Sequence, residues 1–506
     1  MTVSDAPPDV VVVGSGPSGA IAASELVRLG LRVTMLDAGP AAPSGVLLRV
    51  RGNTVFRWVH GGMETDRHIA VDDPKTQWFS SRSLGGLSNY WTAAVPRMHP
   101  LDFTEGAALD ERYRWPITYD DLEPYDALVE RGMQVTAGVD ELRGAPANVR
   151  AFARTAPQDW RELAAAVGQH GHSVGVLPMA TGRPSALVRR PTGWNSYHRL
   201  VRPLLPEPRF TLRRGAQVVR LDWSGRHGAV RAVEYVDRAS GELHSLACRA
   251  VVVAAGTLDS TRILLQSRSE DFPDGLGNTE GVVGRYLHDH PRQWWPARLD
   301  RKMSLLAHPQ YVSRRPHGEE APLMASSLTL GMVGQLTRIK SWYGASDDQV
   351  GVQVFGTMVP TEAFTAALPR RPGLDRDLDA ELRQPLRIGI HYDAQAVANM
   401  RAARDRFTEV FAAGGIRATP QGPFHDLVPG SSVHYSGTVR MHADRRYGVL
   451  DGWNRIYDVP NVVVSDLSCF TTGSEKNPTL TAMAIAARAA HRLAEDLGAG
   501  PRGTRL

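Results

Sequence analysis

Three places in this chain hold residues whose types and spacing could do chemistry. The first is Gly14-Ser15-Gly16-Pro17-Ser18-Gly19, a G-x-G-x-x-G run. In such a run the first glycine makes a tight turn, the second lets a pyrophosphate approach the backbone, and the third lets helix and strand pack closely. The phosphate then sits on a helix N-terminus, where free N–H groups and the dipole attract it. Asp37, downstream of the run, is placed to accept hydrogen bonds from a ribose. The second place holds His425, His434 and His442. Taking a proton from an alcohol near neutral pH suits an imidazole. The chain has 17 histidines, and residue types alone leave open which of these three would act. The third place is Asn477, directly before Pro478 and a helical run. A neutral amide there could orient a hydroxyl without adding charge, and it reads equally as a helix cap.

The elements that must position these groups can be read from pattern. Val10 to Val13 is a β-branched run ending in glycine, as in a buried parallel strand. Ala20 to Leu29 has helical spacing, with Gly30 as its stop. Leu31 to Leu36 is a second strand, with Asp37 just past it, so the glycines lie inside one βαβ unit. Ala250 to Ala255, then Gly256 and a helix over 260–267, reads as a return to the same nucleotide fold, with Gly256 at a second close backbone approach. A strand over 461–464, a loop over 465–477 and a helix over 478–496 read as a third return, with Pro478 in the first helical turn. A helix N-terminus there could stabilise negative charge on a reduced flavin. The glycine run alone does not separate NAD from FAD, and the three-part construction points to a flavoprotein.

Between these anchors, helices are predicted at 119–132, 159–168 and 394–413. Strands are predicted at 216–223, 230–237, 242–248, 350–359 and 386–392. The glycine- and aromatic-rich stretch from Trp58 to about His99 lacks periodicity, and a loop of that length is usually functional. Prolines and charges predict exposed loops at 314–322 and 369–379.

Composition narrows the classes. The chain has 506 residues, 42% hydrophobic and 22% charged, which excludes wholesale disorder and allows a large core without staples. Two cysteines, Cys248 and Cys469, exclude a disulfide framework and a thiolate-built metal cluster, and they fit a reducing compartment. A net charge of +5, from 58 basic against 53 acidic residues, is small for this length. Pairs such as Arg189-Arg190 and Arg370-Arg371 read as solvated surface, so no nucleic-acid partner is expected. Lysine occurs only at Lys75, Lys302, Lys340 and Lys476, a coding bias rather than a signal. No secretory signal and no membrane-length apolar run are visible, so the expected location is the cytoplasm, with no membrane partner.

Taken together, five segments resemble the glucose–methanol–choline (GMC) oxidoreductase family. They are Val10 to Gly19; Gly85-Gly86-Leu87-Ser88-Asn89; Ala254 to Ser260 with Leu264-Leu265; Gly275 to Asn278 through Val283 to Pro291; and His434 to Met441, completed by Asp466 and by Asn477 to Thr481. Residues from about 300 to 430 carry no matching motif and would hold the substrate-binding sheet. The resemblance implies an α/β fold of two parts. A discontinuous FAD domain over 1–100, 205–298 and 431–506 would carry a Rossmann-like sheet. A substrate domain over 101–204 and 299–430 would carry a largely antiparallel sheet backed by helices.

The resemblance also implies roles. His434 would be the general base on a substrate hydroxyl while the adjacent carbon gives hydride to flavin N5, and Asn477 would hydrogen-bond the same oxygen. FAD contacts are implied at Gly14, Gly16, Ser18, Gly19, Asp37, Ala38, Arg82, Gly85, Gly86, Ser88, Asn89, Tyr90, Trp91, Val218, Ala255, Gly256, Asp466, Asn477, Pro478 and Thr479. His288 and His290 look structural, and Trp91, Trp294 and Trp295 look like wall or core. The Ser88 to Trp91 segment is most similar to pyranose 2-oxidase and bacterial glycoside 3-oxidase types. Pyranose 2-oxidases often carry a histidine before this tryptophan that bonds covalently to flavin. Tyr90 stands there, which predicts non-covalent FAD. The implied reaction is oxidation of a secondary hydroxyl on a sugar or glycoside, at C2 or C3. Electrons would pass to O2 or a quinone-type acceptor. Sterols, choline-like or aliphatic alcohols, an aminoglycoside-like hydroxyl, a non-redox flavin lyase and a non-catalytic nucleotide-binding protein are the other readings.

Overall fold

Val10–Val13 is buried on both faces and sits at the centre of the nucleotide sheet. It pairs in parallel with Val33–Asp37 on one side and Ala250–Val253 on the other. Phe210–Arg214 and Val459–Val464 extend the sheet in parallel, and Arg455–Ile456 closes one edge antiparallel. The three returns read from sequence are therefore adjacent strands. Alternation divides the packing between two faces. Val10 and Val12 join Leu26, Leu480 and Met483 under the helices Pro17–Arg28 and Thr479–Asp496. Val11 and Val13 join Leu221, Ile263 and Phe470 on the other side. Burying each such side chain contributes about 1.5–3 kcal/mol.

This computed structural model describes residues 7–41, 64–65, 69–71, 75–76, 78–139, 145–180, 194–304, 306, 310–313, 326–330, 348–369 and 377–499. The loop predicted at 314–322, most of that at 369–379, the two arginine pairs, Lys340 and Trp58 lie outside these residues.

Element ends shift for local reasons. The first helix starts at Pro17, not Ala20, because Gly16 caps it and proline suits the first turn. It ends at Arg28, with Gly30 left-handed at φ 95° just beyond. Asp37 is the last residue of its strand, not the one after it. The helix predicted at 260–267 is Thr257–Gln266, springing directly from Gly256. Pro478 is the cap of Thr479–Asp496, outside its first turn. The remaining predicted helices are Tyr119–Met133, Gln158–Gly168 and Ala394–Ala413. The strands predicted at 216–223, 230–237 and 242–248 are Ala216–Ser224, Ala229–Asp237 and Leu243–Ala247, and they pair in one three-stranded sheet.

A second six-stranded sheet is antiparallel. Its order is Ala418–Pro420, Arg292–Leu299, Gln349–Gly356, Ser326–Leu330, Gln310–Ser313 and Ser173–Val176. Trp295, Ala297, Leu299, Val350, Val352 and Val354 pack against Met400, Phe407 and Phe411 of the Ala394–Ala413 helix. The residues between them, Arg292, Trp294, Gln353 and Phe355, lie on the opposite face. Register places Arg292 across from Phe355 and Trp294 across from Gln353. The strand predicted at 386–392 is Leu386–Gly389, in a separate small sheet with Thr365–Ala367 and Ile69–Val71.

Candidate active site

The glycine turn is built for close approach at both ends and for open space in the middle. Gly14 has φ 99°, and a Cβ there would stand 2.4 Å from the Ala254 carbonyl oxygen. A Cβ on Gly19 would stand 2.1 Å from the Gly14 carbonyl oxygen. A Cβ on Gly16 or Gly256 would meet nothing within 4 Å. Those two positions are the open faces of the cradle, where a bound group comes up to the backbone.

Ser15 ties this turn to its surroundings. Its amide and hydroxyl both donate to Asp37 Oδ2, at 2.7 and 2.5 Å, and its Oγ accepts from the Gly85 amide at 2.9 Å. Ser196 donates to the Ser15 carbonyl at 2.9 Å and contacts Ser88 Oγ at 3.1 Å. Asp37 Oδ1 accepts from the Gly39 amide at 2.7 Å, and burial pushes its pKa up. Asp466 does the same work at the second turn. Its oxygens accept from the Gly256 amide at 2.9 Å and from Ser260 Oγ, Ser468 N and Ser468 Oγ at 2.5–2.9 Å.

A cavity of about 280 Å³ runs past these turns. Of the residues expected to hold the cofactor, Gly14, Gly16, Ser18, Asp37, Gly86, Ser88, Tyr90, Trp91, Ala255, Gly256, Asp466, Asn477 and Thr479 line it. A second cavity of about 90 Å³ shares Gly14, Asp37 and Ala255 and adds Ala38, Arg82 and Val218. Gly19, Gly85, Asn89 and Pro478 line neither cavity. Gly19 packs against Gly14, and Asn89 is buried on the Leu84 carbonyl and the Asn195 side chain. Trp91 lines the wall, with its Nε1 donating to the Trp194 carbonyl at 2.8 Å. Trp295 is core.

Of the three histidines, His434 lines this cavity and His425 and His442 do not. The two ring nitrogens of His442 are engaged with the Glu111 carbonyl at 2.9 Å and the Asp444 amide at 2.9 Å. His425 is exposed. On His434, Nε2 faces Asn477 Nδ2 at 3.3 Å and Nδ1 faces His290 Nδ1 at 3.1 Å. An amide Nδ2 can only donate, so Nε2 of a neutral His434 accepts, its hydrogen is on Nδ1, and His290 Nδ1 accepts in turn. That tautomer leaves a basic nitrogen beside Asn477.

Sequence reading assigned His290 to structure and did not single out Asp289. The structure ties both to His434. Asp289 accepts from the Gly430 amide at 2.9 Å, the His434 amide at 3.0 Å and the Ser432 hydroxyl. These bonds hold a segment in which Val433 is left-handed at φ 62°, an unfavourable state for a β-branched residue. Burial pushes Asp289 up to about 6. Also on the cavity wall and not foreseen are Arg292, Gln353, Phe355, Ser431 and Ser432. The signal that could have found two of them is the alternation at 350–359, which puts residues 353 and 355 on one face.

His288 and His290 are buried, and burial lowers them to about 4 and about 3. Both are neutral in the fold and take up protons on unfolding below about pH 6.5. The unfolded state then binds more protons, so stability falls as pH drops from about 6.5 toward 4. Asp289 opposes this, since its raised value favours the fold as pH falls from about 6. His288→Asn retains a donor for the Tyr286 carbonyl, which His288 Nδ1 contacts at 2.9 Å, and removes one titrating ring. Its melting temperature should decline less steeply than the parent's between about pH 7 and about pH 5. Parallel declines contradict the assignment.

A parallel nucleotide sheet with two open glycine turns, joined to a cavity holding an imidazole–amide pair, defines a dinucleotide-dependent enzyme. Family comparison specifies it further. GMC oxidoreductase profiles match residues 11–292 and 376–486, and the chain belongs to that family. It is 29% identical over 537 residues to the 6'''-hydroxyparomomycin C oxidase of Streptomyces lividus, covering 97% of this chain and 92% of that one. It is 30% identical over 439 residues to a C-glycoside 3-oxidase of Arthrobacter globiformis, covering 82% and 75%. The fold matches pyridoxine 4-oxidase from Mesorbium loti with a TM-score of 0.69 and 19% identity, over 96% of this chain and 99% of that one. The cofactor is FAD. The open faces at Gly16 and Gly256 and the paired cavities fit it, as does the helix end at Asn477 to Thr479. Among the described residues no helix is long and apolar enough to cross a membrane.

Proposed function

We propose that this protein oxidises a secondary hydroxyl of a sugar or glycoside, at C2 or C3, to a ketone. The observation that carries this reading is the pair His434 Nε2 and Asn477 Nδ2, 3.3 Å apart in the cavity that the glycine turns share. On substrate binding, Asn477 turns its N–H from His434 Nε2 to the substrate oxygen and orients it, freeing the Nε2 lone pair. His434 Nε2 takes the hydroxyl proton, and His290, accepting from Nδ1, keeps the basic nitrogen on the cavity side. FAD, when bound, supplies the acceptor for the hydride that leaves the substrate carbon. Electrons then pass to O2, giving hydrogen peroxide, or to a quinone-type acceptor. Gln353, Ser431 and Ser432 supply further polar groups on the cavity wall, as a polyol requires. The named activities of the two curated relatives support the substrate class. The division into a discontinuous FAD part and a substrate part over 101–204 and 299–430 belongs to the same proposal. So does a cytoplasmic location, which rests on two buried free cysteines.

The test is an anaerobic visible spectrum of the purified holoprotein before and after addition of sugars and glycosides. Bleaching of the oxidised flavin by a sugar or glycoside is the expected result. Bleaching only by non-sugar alcohols, or by nothing, overturns the reading. Acid precipitation of the same preparation should leave its yellow colour in the supernatant, because Tyr90 offers no imidazole for a covalent bond. A coloured pellet contradicts that.

A further inference from the structure

Among the described residues the cavity wall carries one arginine, and its charge is incompletely matched. Arg292 begins a strand of the antiparallel sheet and lines the cavity with His434, Gln353, Phe355, Ser431 and Ser432. Register sets it across from Phe355, whose ring centre lies 5.1 Å from that of His434. The arginine is therefore one side chain away from the reacting end. Its Nη1 donates to the Ser431 carbonyl at 3.1 Å, and its Nε is enclosed with no acceptor. Among the described residues no carboxylate pairs with it. Asp289 acts on it only through space, and that carboxylate is already held by Gly430, Ser432 and His434. Burial works against the charge and lowers the Arg292 pKa.

The acidic residues on the described wall are Asp37, Asp259 and Asp466. All three sit at the glycine turns. Asp37 is bonded to Ser15 and Gly39, Asp466 to Gly256, Ser260 and Ser468, and Asp259 lies in the first turn of the helix that springs from Gly256. None of these forms an ion pair with Arg292, and Asp289 is the carboxylate whose charge reaches it. A half-buried cation with an enclosed Nε and no ion-pair partner is costly, and an anion brought in by the substrate would complete it with a charge-assisted hydrogen bond. An ammonium group would meet repulsion in the same place.

We propose that Arg292 binds a carboxylate on the substrate, so that the preferred alcohol is an acidic sugar, a uronic or aldonic acid or its glycoside, over neutral and amino sugars. This rests on the sugar-alcohol reading above. The test uses the holoprotein and three matched probes: D-glucuronate, D-glucose and D-glucosamine. Their dissociation constants are read from the perturbation of the oxidised flavin spectrum, and their reduction rates from anaerobic bleaching. Glucuronate should bind at least about tenfold tighter than glucose, and glucosamine most weakly. Arg292→Gln should weaken glucuronate about tenfold more than it weakens glucose, and Arg292→Lys should restore part of the preference. Equal binding of the three probes, tighter binding of glucosamine, or a preference that survives Arg292→Gln overturns the proposal. A variant that slows glucuronate and glucose equally overturns it too, and marks Arg292 as a partner of the cofactor. Glycerate and glycerol run alongside. If every sugar fails and glycerol responds, the sugar reading falls, and the glycerate preference still decides the role of Arg292.

Discussion

Replacing His434 with asparagine should lower the rate of flavin reduction by roughly 10²- to 10⁴-fold, the range that a positioned base supplies. The flavin content should not change. The argument is geometric. His434 Nε2 is the basic nitrogen that faces both the cavity and the Asn477 amide, and its orientation is fixed from two sides. Asp289 holds its backbone amide at 3.0 Å, and His290 holds its Nδ1 at 3.1 Å. Asparagine keeps polarity and approximate reach, and it cannot accept a proton near neutral pH. Asn477→Ala should cost less, about tenfold, because it removes an orienting donor and leaves the base. Rapid mixing under anaerobic conditions, with a substrate that bleaches the parent, reads both. A loss within threefold for His434→Asn would place proton removal elsewhere. A loss of flavin with the activity would mean that the segment was damaged and not the base.

The second large effect is expected at Gly19. An added methyl would stand 2.1 Å from the Gly14 carbonyl oxygen and 3.3 Å from Ala254 Cβ. Neither neighbour can retreat easily. Gly14 is itself wedged against Ala254, in a backbone state that a side chain would strain. Gly19→Ala must therefore push the first helix off the sheet, at a cost of about 3 kcal/mol. The variant should be recovered largely without FAD and should melt well below the parent. Gly16→Ala is the contrast. Its methyl would meet nothing within 4 Å, so the fold should survive while the approach to the pyrophosphate is blocked. Circular dichroism and the flavin-to-protein ratio separate the two outcomes. If Gly19→Ala retained FAD and stability, the packing role given to this glycine would be wrong. If Gly16→Ala retained FAD, the open face would not be where phosphate approaches.

Much of the nucleotide half was legible because its signals are local. Val10 to Gly19, Asp37, Gly256 and Asp466 each lie within one turn or one strand of their partners or of a glycine that marks them. The Thr479–Asp496 helix announced itself through Pro478 at its start. The other wall was not legible, and the reason is long-range pairing. Arg292–Leu299 contains Pro296, which argues against a central strand, yet it lies between Gln349–Gly356 and Ala418–Pro420. Nothing near residue 292 reveals that Phe355 will lie across from it. His290 was read as structural because it falls in an H-D-H segment the family resemblance marks as structural, and its partner, His434, comes from a distant segment and meets it only in the folded chain. Asp289 was hidden for the same reason. Its role is to tie together backbone groups near 430, and a lone carboxylate between two histidines does not announce that.

The strict two-residue period of the antiparallel sheet also bears on how this protein could change. Trp295, Ala297, Val352 and Val354 point to the helical core, while Arg292, Gln353 and Phe355 point to the cavity. Selection on what the pocket admits can therefore act on one set of positions and selection on folding on the other, with little conflict between them. His434 and Asn477 come from different segments, so the chemistry need not move when the pocket is rewritten. A laboratory library confined to positions 292 and 353, sparing Phe355 because its ring packs on His434 and His290, would exploit that separation, exploring new alcohols on a scaffold whose hydrophobic packing is left intact.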